Sequence, residues 1–267
     1  MKQQHVFFAL FMALMVVLTV SCQKEPEFEY AELISGPAFN DAIPKDDKTK
    51  SVVFEYNSRV KSGTLLSTPD SPVPIYGNLD GTTWRVSTRA SQIYAHPNCS
   101  YMFKSSYDFY TTHSGRHRRV DLLLEKIDFG NGFNTSNVTD MMGMFLSGQE
   151  LQNLDISNFN TSNVTNMSKM FFCCWSLTSL EVSKFNTEKV TDMSKMFLNC
   201  TNMTNLNLSH FDMSGVSNKE GMCYALSTKS GACTITCPLA VQTELESGTD
   251  LPTSGVTFTW VRPSSSK

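Results

Sequence analysis

Apolar residues return at fixed places between Phe133 and Cys223. Phe133, Phe159, Phe185 and Phe211 stand 26 residues apart, as do Val138, Val164, Val190 and Val216. A period of this size means stacked units, each burying its apolar side only against its neighbours. The clearest unit opens Leu151-Gln-Asn-Leu154-Asp-Ile156-Ser-Asn-Phe159, with copies at Leu177–Phe185 and Met203–Phe211. Leu154 and Ile156 are two apart, which predicts a strand with both on one side and Asp155 on the other. In the second half, Met167, Met170 and Phe171 sit at i, i+3 and i+4 and predict a short helix with one apolar face. Asn166, like Asp140 and Asp192, stands where an N-cap is expected. The methionines admit a soft-metal reading, but their regular spacing favours packing, because Met fills irregular gaps.

The pattern L-x-x-L-x-L is the strand signature of leucine-rich repeats, with Phe where that consensus carries Asn or Cys. The predicted fold is an α/β repeat solenoid, a leucine-rich-repeat-like right-handed coil of strand, turn and short helix in units of 26 residues. A β-rich N-terminal cap and a strand/helix C-terminal cap are expected to close it. Asn160 and Asn186 are expected to do the work of the missing buried Asn stack, with Asp212 breaking the series.

Pro97-Asn98-Cys99-Ser100-Tyr101-Met102-Phe103 aligns with Thr165–Phe171. Met102 lies 42 residues before Met144, and 42 is 26 plus 16, so a first repeat at 97–103 is followed by an insertion. The expected division is a signal at 1–21, a tether at 22–35, an N-terminal cap at 36–96, repeats at 97–226 with the insertion at about 104–119, a C-terminal cap at 227–262 and a tail at 263–267. In the first cap, Gly36–Ile43 predicts a helix with Pro37 in its first turn and Ser51–Tyr56 a strand. Pro74–Leu79 and Thr82–Val86 flank Asp80-Gly81 as a hairpin. Ala232–Cys237 and Val256–Trp260 predict late strands, with a helix near Leu239–Leu245 between them.

The N-terminus changes where such a body is expected. Lys2 precedes an apolar run from Val6 to Leu18, too short to span a membrane and shaped like a secretory signal. Ser21-Cys22 at its end resembles a bacterial lipobox, with Thr19 where Leu is usual; that likeness implies lipidation of Cys22. An ordinary cleaved signal with an incidental Cys is the alternative. The polar, acidic stretch from Gln23 to Glu29 is too charged to pack and reads as a tether. Net charge is −3, and −4 without Lys2, so nothing suggests a nucleic-acid partner.

The insertion carries the one basic cluster, His113-Ser-Gly-Arg116-His117-Arg118-Arg119. A solvated loop is favoured over a zinc site, since Ser114-Gly115 opposes a helix that would align the two His. Arg116, Arg118 and Arg119 are candidates for an acidic ligand such as a sulfated glycan. Besides Cys22, the cysteines at 99, 173, 174, 200, 223, 233 and 237 follow the repeat and read as small buried residues. Cys233 and Cys237, four apart on a strand, are too distant for a disulfide. No G-x-S-x-G, H-E-x-x-H or P-loop occurs. No catalytic residue, metal or cofactor is assigned.

The run F-N-T-S-N-V-T-x-M-S-K-M-F resembles the BspA-like surface proteins of Bacteroidota type. That resemblance implies a lipoprotein displayed on the bacterial outer membrane, some relatives being adhesins for host matrix proteins or other bacteria. The expected function is a surface-anchored, non-catalytic binding or adhesion module for a matrix protein, a glycan or other bacteria. A structural or accessory subunit of a cell-envelope assembly and a glycan-binding lipoprotein are the alternatives. Its candidate ligand face is the outward side of the strands: Gln152, Asn153, Asp155, Asn158, Thr178, Ser179, Glu181, Lys184, Thr204, Asn205, Asn207 and His210.

Overall fold

The structure, a computed structural model, describes residues 28–45, 48–105, 122–224, 226, 233–238 and 256–261. The expectations for the signal, Cys22, the arginines of the insertion and the helix near Leu239–Leu245 lie outside these residues.

The expected solenoid of strand–turn–helix units is not what the chain builds. Among the described residues there is one helix, α1 (Gly36–Ala42), and it precedes the repeats. The remainder is sheet and turn. The strands are β1 (Phe28–Glu32), β2 (Ser51–Tyr56), β3 (Thr64–Leu65), β4 (Ile75–Asp80), β5 (Thr83–Thr88), β6 (Ala90–Tyr94), β7 (Lys126–Asp128), β8 (Phe133–Asn134), β9 (Asn205–Asn207), β10 (Cys233–Pro238) and β11 (Val256–Val261). They form a mixed sheet in the order β3-β4-β5-β2-β7 and two parallel sheets, β1-β6-β8 and β11-β10-β9. The β4–β5 hairpin turns at Asp80-Gly81, where Gly81 has φ +59°. The flank thus joins the repeats edge to edge, β2 pairing in parallel with β7 and β6 with β8.

The helix fails for a backbone reason. Gly143, Lys169 and Lys195 (φ 57°) and Ser147, Cys173 and Asn199 (φ 60°, 58°, 62°) all take the left-handed conformation, one period apart. A right-handed helix requires negative φ throughout, and each such non-glycine residue costs about 1–2 kcal/mol. Hydrogen bonds to the next repeat offset that cost. The amides of Met141, Gly143, Phe145 and Ser147 donate to the carbonyls of Asn166, Ser168, Met170 and Phe172 at 2.7–2.9 Å. Between them, Met144 and Leu146 close tight turns onto Met141 and Gly143. The next repeat does the same with Met167, Lys169, Phe171 and Cys173. Asp140, Asn166 and Asp192, expected as helix caps, instead accept the amide two residues on, closing turns onto Met142, Ser168 and Ser194. Met167, Met170 and Phe171 are nevertheless wholly buried, because paired turns bring the same three positions inward as a helix does.

A second seam replaces the missing Asn stack, and threonine makes it. Thr161 Oγ1 donates to the Asn186 carbonyl at 2.9 Å and accepts the Asn186 amide at 2.8 Å. Thr135 does the same for Asn160, and Thr187 for Asp212. All three threonines are buried. Asn134, Asn160, Asn186 and Asp212 each accept the amide two residues on, so Asp212 continues the series instead of breaking it. Only an acceptor oxygen is needed there, and Asp supplies one as well as Asn. The seam stops where Met213 takes the threonine's place.

Inside, Phe103, Phe145, Phe171 and Phe197 stack at 5.5–5.6 Å with their planes within 7° of parallel. Phe103 also meets Phe39 of α1, so the column continues into the flank. Pro97–Phe103 lies on the next turn in the same manner, Asn98 bridging Asp140. Truncating a buried Phe costs about 3–5 kcal/mol, whereas an exposed pair such as Lys195–Glu220 contributes about 0–1. The column and seams hold this fold; the surface charges do not.

Thr161→Val should destabilise the chain by about 1–3 kcal/mol, because it orphans the part-buried amide and carbonyl of Asn186. Thr161→Ser keeps both bonds and should cost less than half as much. Urea unfolding measures both.

Candidate functional site

All twelve candidate residues on the strand row are exposed, and the structure divides them by task. Asp155, Glu181 and Asn207 each accept the amide two residues on, from Ser157, Ser183 and Ser209, and so close the turn that ends each strand segment. Hydrogen bonds from Ser157 and Ser183 hold the Asp155 and Glu181 carboxyls below their ordinary pKa values. Three more residues tie neighbouring repeats together. Thr204 Oγ1 donates to the Thr178 carbonyl at 2.9 Å, Asn158 Nδ2 reaches the Gly130 carbonyl at 3.4 Å, and His210 Nε2 lies 2.6 Å from the Val182 carbonyl. The other six are Gln152, Asn153, Thr178, Ser179, Lys184 and Asn205. Among the described residues, their side chains form no hydrogen bond.

The strand row is not the continuous sheet that the sequence predicts. At its C-terminal end it is laddered: Ser179 bridges Asn205, and β9, β10 and β11 pair in parallel. At its N-terminal end, β7 pairs with β2. Between them, the main-chain amides and carbonyls of Gln152 to Asp155 form no hydrogen bond with any described residue. The break coincides with a change of turn length. Asp128 and Asp155 close equivalent turns, yet Asp128 is 27 residues before Asp155, while Phe133 is 26 before Phe159. The extra residue lies in Phe129-Gly-Asn-Gly-Phe133, where Gly130 takes φ +58° and a Cβ would meet the Phe54 carbonyl oxygen at 2.6 Å.

A groove of about 610 Å³ opens at this break, lined by Glu125, Lys126, Ile127, Glu150, Gln152, Asn153 and Asp155. Lys126 faces Asp128 at 3.8 Å and Glu125 faces Lys50 at 3.2 Å; Glu150 has no ion-pair partner among the described residues. A smaller cavity of about 260 Å³ is lined by residues of β2, β6 and the Phe129–Phe133 turn, among them Phe54, Ile93, Phe129 and Phe133. Its Glu55 carboxylate is already held by Arg85 and Ser87.

Sequence reading passed over two features. One is the groove, whose only signal was the 27-residue spacing. The other is a surface row on the turns, with half-buried Leu146, Phe172 and Leu198 followed one period later by exposed Tyr224.

The six cysteines whose side chains are described, at 99, 173, 174, 200, 223 and 237, form no disulfide and are buried. Cys174 and Cys200 donate to the Phe145 and Phe171 carbonyls at 3.1 Å, a third link between repeats. Burial pushes the Cys99 and Cys174 thiols up to about 12, so they are inert as nucleophiles at neutral pH. Among the described residues, no three His, Cys, Asp or Glu side chains are grouped to hold a metal ion.

Residues 98–234, just over half of the chain, match the family described as Mycoplasma protein of unknown function, DUF285. The chain belongs to this family. The match spans the turn ladder, the threonine seam and the strand-row break. No curated protein and no solved structure matches the chain.

Asp155 and Asp212 are both stabilised in the charged form, chiefly by hydrogen bonds from Ser157 and Ser214. A folded pKa below the unfolded value adds stability above the unfolded pKa and loses it as pH falls through the folded one. Stability should therefore drop as pH falls below about 3.8, the ordinary aspartate value. Asp155→Asn with Asp212→Asn keeps the acceptors and should flatten that drop, read as thermal midpoint against pH.

Proposed function

We propose that this chain is a cell-surface lipoprotein, anchored through Cys22 to a bacterial outer membrane, that acts as a non-catalytic binding or adhesion module. The observation that carries this reading is the division of labour along the strand row. A scaffold built from turn-closing and cross-repeat bonds presents Gln152, Asn153, Thr178, Ser179, Lys184 and Asn205, whose exposed side chains form no hydrogen bond with any described residue. Exposed polar groups on a rigid scaffold are the usual means of recognition. The apolar run from Val6 to Leu18 ending at Ser21-Cys22 supports export. The resemblance of the F-N-T-S-N-V-T-x-M-S-K-M-F run to BspA-like surface proteins supports the adhesive role. A host matrix protein, a glycan or another bacterium is the proposed class of partner.

The test is a binding screen of the full chain against matrix proteins and glycans, with those six residues replaced together by Ala. Leaving Asp155, Glu181 and Asn207 intact keeps the turns. A ligand captured by the parent should be lost by at least about tenfold on the six-fold variant, the loss expected from removing a few polar contacts. Equal capture by both would move the binding surface off the strand row.

A further inference from the structure

Among the described residues the ladder of the strand row lapses at Gln152–Asp155, and the groove there has a definite chemistry. Its rim carries Glu125, Glu150, Asp155 and Lys126. Lys126 faces Asp128, Glu125 is paired with Lys50, and Lys184 favours the charged form of Asp155. That leaves Glu150 and Asp155 as the carboxylates without a direct ion pair among the described residues. The groove wall includes the main chain from Gln152 to Asp155, whose amides and carbonyls form no hydrogen bond with any described residue. Further along the strand row the next repeat takes up such groups, the Thr204 amide donating to the Thr178 carbonyl and the Thr234 amide to the Thr204 carbonyl. An occupant suited to this groove brings positive charge to the rim and polar groups to the exposed main chain. A volume of about 610 Å³ admits a few side chains and no folded domain.

We propose that this groove docks an extended, lysine- or arginine-rich segment of a partner polypeptide, its cationic side chains lying against Glu150 and Asp155. This rests on the reading of the chain as a binding module and names the partner chemistry for one part of that face. Each exposed ion pair adds little by itself, so the interaction is shallow, salt-sensitive and reliant on several contacts made together.

The probe is a nine-residue peptide alternating Lys and Thr, with a Glu–Thr peptide of the same length as its counterpart, each titrated onto the full chain. The test variant is Glu150→Gln with Asp155→Asn. It preserves the turn, since Asn207 closes the equivalent turn two repeats later. The control is Glu188→Gln with Glu220→Gln, which removes the same charge away from the groove. The Lys–Thr peptide should bind the parent and the control alike, weaken as salt is raised, and bind the test variant about tenfold less tightly. The Glu–Thr peptide should not bind.

Equal loss in the control would reduce the effect to net charge and overturn the proposal. Unaltered binding to the test variant would overturn it as well. So would self-association of the parent, seen by light scattering, that the test variant abolishes, because a second copy would then occupy the groove. If the peptide fails while matrix proteins or glycans are still captured, the basic-segment proposal falls and the binding-module reading stands. If nothing is captured, both fall.

Discussion

Every repeat in this protein depends on its neighbour to satisfy its main chain. A turn of chain 26 residues long leaves its amides and carbonyls facing along the stack, and buried groups of that kind cost several kcal/mol if unpaired. Here they are paired across repeats by three sets of bonds: alternate amides of the turn, the buried threonines, and the thiols of Cys174 and Cys200. The phenylalanine column gives the stack its hydrophobic drive, but aromatic burial is not directional. The hydrogen bonds are what set the register, and they do so at the cost of left-handed φ in residues such as Lys169 and Cys173.

That cost explains how far the sequence could be read. The period, the buried Phe, Val and Met positions, the hairpin at Asp80-Gly81 and the strand at Ser51–Tyr56 all follow from local pattern and agree with the structure. The helix does not, because i, i+3, i+4 spacing is shared by a helix and by two consecutive tight turns. What separates them is whether Met167 and Lys169 donate within the chain segment or to the next repeat, and residue spacing carries no information on that. The same holds for Asn166 and Asp192, whose side chains close a turn as readily as they cap a helix.

The candidate face was legible as exposure but not as function. An outward position on a strand segment follows from alternation alone, and all twelve residues are exposed. Sequence could not show that Asp155, Glu181 and Asn207 are occupied in closing turns, because an exposed acceptor oxygen looks the same whether it binds a ligand or its own chain. Nor did the break at Gln152–Asp155 announce itself, since the one additional residue near Gly130 that coincides with it leaves the apolar period intact. The scaffold is regular where bonds between repeats demand it. The features particular to this chain lie where that demand lapses.

Amide hydrogen exchange followed by NMR tests this account most directly. Met167 and Lys169 donate to the Asp192 and Ser194 carbonyls at 2.9 Å, so their amides should exchange only on global unfolding, while those of Gln152 to Asp155 exchange rapidly. In a helix capped at Asn166, the Met167 amide has no partner within the helix. Rapid exchange at Met167 with protection at Met170 to Cys174 would contradict the turn ladder and restore the helix.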